Sequence, residues 1–232
     1  MKSSALGQRK SCLERIRDSK HLFTYVVIFW LIHLGLFFVT ENIYPIEKHK
    51  VVHCWLDDVI PFCEVFIVPY VGWFLLLLVT VLYFFFKDRD SLMSFHIYLL
   101  VLDVLMYGIY FIWPTQVDFQ PEVMPRDNIF SDLVSLIYSA DRNTNACPSF
   151  HVAYSFAVGT VWAKRKLTHW TKKTMVWIFV ALICLATVFI KQHSVLDFFW
   201  ALPFCLLAEI VAYGKSYWLP KWKAKPAPQN AE

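Results

Sequence analysis

Charge and glycine are what this sequence has little of. Only 17% of its 232 residues are charged and only six are glycine, whereas 58% are hydrophobic and 18% aromatic. A soluble domain carries about 25% charged and about 45–50% apolar residues. The shortfall of charge excludes an ordinary soluble globule and a disordered chain. A net charge of +4 is too small to mark a nucleic-acid binder. None of the six cysteines forms a C-x-x-C pair, so a zinc ribbon or a thioredoxin-type motif is unsupported. There is no Walker-type glycine loop and no internal repeat.

What is present is a series of long uncharged runs. A crossing helix needs about 20 apolar residues. Residues 22–40 and 65–86 meet that length, as does 92–113 with His96 and Asp103 inside it. Residues 149–163, 174–190 and 197–213 are shorter, but suffice if flanking Trp and Tyr sit at the interface. The run Leu75-Leu76-Leu77-Leu78-Val79, with Val81-Leu82-Tyr83-Phe84 after it, has no polar face, unlike a helix on a soluble core. The pattern predicts an all-α integral membrane protein with six transmembrane helices over residues 21–215. A basic segment, 1–20, precedes this domain, and an irregular tail, 216–232, comes after it. The first apolar run exceeds the 7–15 residues of a signal-peptide core and no small-x-small site comes after it, which predicts an uncleaved span.

The basic residues alternate in side along these spans. Of 22, only Lys48, Lys50, Arg126, Arg142 and Lys191 map to one face. The positive-inside rule then puts both termini in the cytoplasm, most simply at the cell membrane, and the loops after spans one, three and five outside. On that outer side, 41–64 carries His49, His53 and Asp57 at helical spacing, which suits an interfacial helix better than a metal site. Cys54, Cys63 and Cys147 fall there too, where a disulfide could form, with the pair left open. Residues 127–139 read as an amphipathic helix with Ile129, Phe130, Leu133, Leu136 and Ile137 on one stripe. This predicts an outer-face interfacial helix between spans three and four.

Two polar clusters stand at span mouths: 145–151, opening span four, and 191–197, joining spans five and six. The chain crosses twice between His151 and His193, so span counting returns both to the same face. His193 and Asp197 are four apart, on one face of a helix. A carboxylate there fixes the ring tautomer and leaves Nε2 as a nucleophile or base. Pro148 suits a first helical position, with Asn145 or Cys147 near the cap. The amides of Ser149, Phe150 and His151 would then form an anion site at a helix N-terminus, with Lys191 as a clamp and His151 as a general acid. A Cys147–His151 nucleophile pair is the weaker use of the same spacing. The inventory fits phosphoryl transfer, where positioning and charge stabilisation dominate.

Pro148-Ser149-Phe150-His151 resembles the Pro-Ser-x-His motif of the type 2 phosphatidic acid phosphatase superfamily, and His193-x-x-x-Asp197 resembles its last motif. The likeness covers roughly residues 60–215. It implies a reaction without metal or other cofactor, through a phosphohistidine on His193, oriented by Asp197, with His151 protonating the leaving oxygen. Ser149, Phe150 and Lys191 would hold the phosphate. Gln120 stands where the superfamily has an arginine, and Ala186-Thr187 replaces its Ser-Arg; Lys191, Arg142 or Arg126 could substitute. The pattern is closest to the phosphotransferase branch, similar to inositol phosphorylceramide synthase and sphingomyelin synthase. The implied partners are a lipid phosphate or diphosphate drawn from the bilayer and an alcohol acceptor, with no nucleic acid. The rival readings are a small transporter lined by the intramembrane Asp103 and Glu209, or a weakened scaffold of the same fold.

Overall fold

The computed structural model of the chain describes residues 20–165 and 169–223. Residues 1–19, Lys166 and Lys225, all counted on the predicted cytoplasmic side, lie outside the described residues. The chain divides into two compact units, 1–38 and 39–232. The first is helical from Lys20, with edge-on ring pairs Phe29–Trp30 and Phe37–Phe38 along it. That helix, α1 (Lys20–Ile43), runs on into the second unit.

Among its described residues, the second unit is all-α but for one two-residue parallel pair. Its elements are β1 (Lys50–Val51), α2 (Trp55–Val59), α3 (Ile67–Lys87), α4 (Arg89–Ile112) and β2 (Thr115–Gln116). After these come α5 (Ile129–Ala140), α6 (Phe150–Lys164), α7 (Trp170–Phe189) and α8 (Val195–Tyr213). Among the described residues, five helical stretches are long and apolar enough to cross a membrane: Lys20–Ile43, Glu64–Lys87, Arg89–Ile112, Trp170–Phe189 and Val195–Trp222. Residues 216–223 are therefore not the irregular tail predicted. A π turn, Gly214–Trp218, and a last helix, α9 (Leu219–Lys223), prolong α8.

The run 149–163 differs from the other five. It gives α6, 15 residues long, which at 1.5 Å per residue is about 22 Å, short of a hydrocarbon core of about 30 Å. Its surroundings explain the shortness. α6 packs against α3, α4, α7 and α8 and is buried on nearly every face, so protein rather than lipid solvates it. Two glycines let α7 come close. A Cβ on Gly159 would stand 2.8 Å from the Trp177 ring, and one on Gly72 would stand 2.7 Å from Phe179. Either methyl group would make the facing ring shift, because 2.7–2.8 Å is closer than a Cβ stands to any neighbour.

The connections gather at one end of this body. β1 pairs with β2 through Lys50–Thr115 and Val51–Gln116, and Gln116 bridges to Thr144. Cys63 N donates to Phe189 O, tying the start of α3 to the end of α7. α5 starts at Asn128, whose side chain accepts from Phe130 N and Ser131 N. Its predicted single stripe is in fact two. Phe130, Val134, Ile137 and Tyr138 pack on Ile67, Tyr70, Ala186 and Ile190. Ile129, Leu133 and Leu136 are exposed on another side. Val134, missing from the predicted stripe, is the fully buried centre of contact. Five cysteines, Cys54, Cys63, Cys147, Cys184 and Cys205, are free thiols.

Candidate active site

The two histidines predicted to share a face are in contact. His151 Nδ1 lies 3.3 Å from His193 Nε2. His193 Nδ1 lies 3.1 Å from Asp197 Oδ2 and 2.9 Å from Ala146 O. Both of those neighbours are acceptors, so the proton of His193 belongs on Nδ1 and its Nε2 carries the lone pair. His151 then donates through Nδ1, and its own Nε2 is buried without a protein partner. Tyr70 and Trp73 hold the His151 ring, each with its centroid 4.4 Å away.

The pairing of His193 with Asp197 does not come from one helical face, as the spacing predicted. His193 lies outside α8. Ser194 is the N-cap, and Asp197, at the third helical position, accepts from Ser194 N at 3.0 Å in a capping box. One carboxylate oxygen thus starts the helix and orients the ring. Left-handed backbone flanks the site on both strands of chain: Asn145 has φ 50° and Lys191 has φ 59°. Such values cost a non-glycine residue of order 1 kcal/mol or more and persist only where neighbours hold them. Asn145 is held by its N–H to Thr115 O and its Nδ2 to Thr40 O.

The predicted phosphate ligands are mostly employed elsewhere. Lys191 is held by backbone carbonyls. Its Nζ donates to the carbonyls of Asp57 and Ile60, and burial draws it below the usual lysine range, against the pull of Asp57 and Asp58. Ser149, rather than Asn145 or Cys147, is the N-cap of α6. Its hydroxyl oxygen accepts from Val152 N, which leaves the O–H as a donor, and its own amide donates to Asp197 O, so the amide is taken. Helix α6 begins after Pro148, not at it. The Phe150 ring packs on Tyr107, Tyr110 and Tyr154. Gln120 donates to Gln192 Oε1 at 2.8 Å, beside His193 in sequence. The Arg142 side chain is exposed, and its carbonyl faces Gln192. Arg126 pairs with Glu64.

Several contacts had no signal in the sequence. The Cys147 thiol lies against Asp197, and burial with that carboxylate pushes it above the usual thiol range. Asp141 accepts from Tyr70 OH at 3.0 Å and sits near His193. Burial raises its carboxyl, against the pull of His193 and of the Tyr70 and Gln192 hydrogen bonds. The residues weighed as a metal site have separate partners. His49 Nδ1 faces Pro45 O, His53 bridges Asp58 and Asp118, and Asp57 faces Ser194. Asp103 accepts from Tyr154, while Glu209 pairs with Lys164 and accepts from Trp218.

No family model matches the chain, and no curated protein or solved structure is similar to it. The function has to be read from the geometry itself.

Proposed function

We propose that the chain is a membrane enzyme that breaks or transfers lipid phosphate esters through a phosphohistidine. One observation carries this reading: His151 and His193, distant in sequence, meet at 3.3 Å, with Asp197 on the far nitrogen of His193. In the proposed reaction, His193 Nε2 attacks phosphorus. The P–O bond to the leaving group breaks as the N–P bond forms, and a protonated His151 gives its proton to the leaving oxygen. His151, now neutral, takes a proton from water or an alcohol, whose oxygen attacks phosphorus and releases His193. Asp197 steadies the positive charge on the phosphorylated ring through Nδ1–H. The two rings must part to admit the phosphate, since their nitrogens are within hydrogen-bond distance at rest.

In this reading α6 is the sixth crossing, short because protein surrounds it. The charge alternation puts both termini in the cytoplasm and the histidines on the outer face of the cell membrane. The exposed Ile129, Leu133 and Leu136 of α5 suit a helix lying in the interface, beside the entry for a substrate from the bilayer. The tie of Lys191 to backbone carbonyls favours one rival, a scaffold whose phosphate clamp is weak. The experiment is turnover by purified protein of phosphatidic acid and of a phosphodiester lipid, with chelator, with and without an alcohol acceptor. Phosphate release or transfer is expected, with a base-stable, acid-labile phosphoryl group on His193. Equal turnover by His193→Ala would sink the mechanism.

A further inference from the structure

The histidine loop is gripped from outside by the short helix α2. Asp57, 1% exposed, lies in α2, far from His193 in sequence. Its Oδ2 accepts from Ser194 Oγ at 2.5 Å, and its Oδ1 accepts from Val195 N at 2.9 Å. Its own carbonyl, with that of Ile60, accepts from Lys191 Nζ. So one segment, 57–60, holds residues 191, 194 and 195, on both sides of His193. Asp57 is itself fixed, because Cys54 N donates to its Oδ2 at 2.9 Å.

From this we infer that Asp57 is a positioning residue: it sets where His193 stands by clamping Ser194 and Val195, while Lys191 locks the same segment from the other flank. The physical reason is the arrangement of the loop. His193 precedes α8 and comes after a left-handed Lys191; its N–H donates to Thr187 O of α7, whereas the residues that lead from it into α8, Ser194 and Val195, are held by Asp57. Asp197 orients the ring but, being part of α8, moves with it. Asp57 is anchored on a different element and refers the ring to the rest of the body. A charged acceptor with two donors is worth more than a neutral one. A misplacement of about 1 Å at a reacting group can cost about 100-fold in rate. The role in turnover rests on the phosphohistidine reading, whereas the clamp itself does not.

The test compares wild type with Asp57→Ala, Asp57→Asn and Ser194→Ala in detergent. Each is treated with diethyl pyrocarbonate, and labelling of His193 is followed by mass spectrometry. Expected is at least about 5-fold faster labelling of His193 in Asp57→Ala, an intermediate rise in Ser194→Ala, and a smaller rise in Asp57→Asn, whose amide oxygen still accepts from Val195 N while its NH2 faces the Cys54 N–H. Turnover of phosphatidic acid and a phosphodiester lipid is expected to show kcat lowered about 10–100-fold in Asp57→Ala with KM within about 2-fold, and partial rescue in Asp57→Asn. If Asp57→Ala fails to fold, Ser194→Ala, which removes one hydroxyl, carries the comparison. Unchanged His193 labelling in the alanine variants overturns the clamp, as does an equal loss in Asp57→Asn. A wild type that turns over neither lipid overturns the proposed function instead, and the labelling rates still decide on Asp57.

Discussion

Each end of the 39–232 body buries a lysine, and each compensates it differently. At the histidine end, Lys191 donates to loop carbonyls, those of Asp57 and Ile60. At the other end, Lys164 pairs with Glu209 and lies 4.2 Å from the Tyr217 ring centroid and 4.3 Å from that of Trp218. The partners decide what the lysine does. Carbonyls belong to the chain itself, so Lys191 sets the course of a loop. Carboxylate and rings belong to a helix, so Lys164 fastens α6 to the end of α8. A cavity of about 160 Å³ opens at the Lys164 end, lined by Asp90, Ser94, Ser216 and Tyr217 among others, and it touches no histidine. Polarity is buried at both ends, but the contact between two imidazoles, His151 and His193, lies at one of them.

The largest expected effect separates the ends by chemistry. Asp197→Asn should lower kcat by about 10²-fold or more, because a neutral amide no longer steadies the positive charge on the phosphorylated His193 ring, although Ala146 O still accepts from Nδ1. Lys164→Met should leave kcat within about 2-fold in the same assay of lipid phosphate turnover. A matching fall in both variants would break the distinction. Stability should separate them the other way. Lys164→Met strands a largely buried Glu209 and should cost about 3 kcal/mol in denaturant unfolding. The double variant with Glu209→Gln should recover most of it.

Two smaller effects sharpen the picture of the histidine end. Burial raises the Asp141 carboxyl, so the folded state favours its protonated form. Its contribution to stability is full below the unfolded value and is lost as pH rises through the folded one. Asp141→Asn should therefore raise the melting temperature by a few degrees more at pH 8 than at pH 5. His53 shifts upward because of Asp58 first, and of Asp118. Its bridge is present below the unfolded histidine value and fades as pH rises through the folded one. His53→Gln should lower the melting temperature by about a degree at pH 5.5 and not at pH 8.5.

Much of this was legible in residues whose chemistry is local. The uncharged runs gave the long helices, and the helix read over 127–139 is α5, Ile129–Ala140. His151, His193 and Asp197 were found by counting spans and by a spacing of four, although the spacing acts through a capping box. Lys191 misled for a plain reason. Its place two residues from His193 says nothing about its partners, and the carbonyls of Asp57 and Ile60 take up its amine. The stripe of α5 was misread because lipid and protein both reward apolar residues, and sequence does not say which face meets which. Asp57 was visible only as an acid at helical spacing from two histidines.

By itself, then, the sequence determined the solvent of this protein, the helices that solvent demands, and the pair of histidines that chemistry can use. Apolar burial and backbone hydrogen bonding act over single turns and single segments, so they can be read along the chain. Only the tertiary structure decided that α6 is enclosed, that Lys191 is a clasp, and that Asp57 reaches His193 through Ser194. These depend on which loop lies against which, and a hydrogen bond between residues 57 and 194 leaves no trace in the spacing of either.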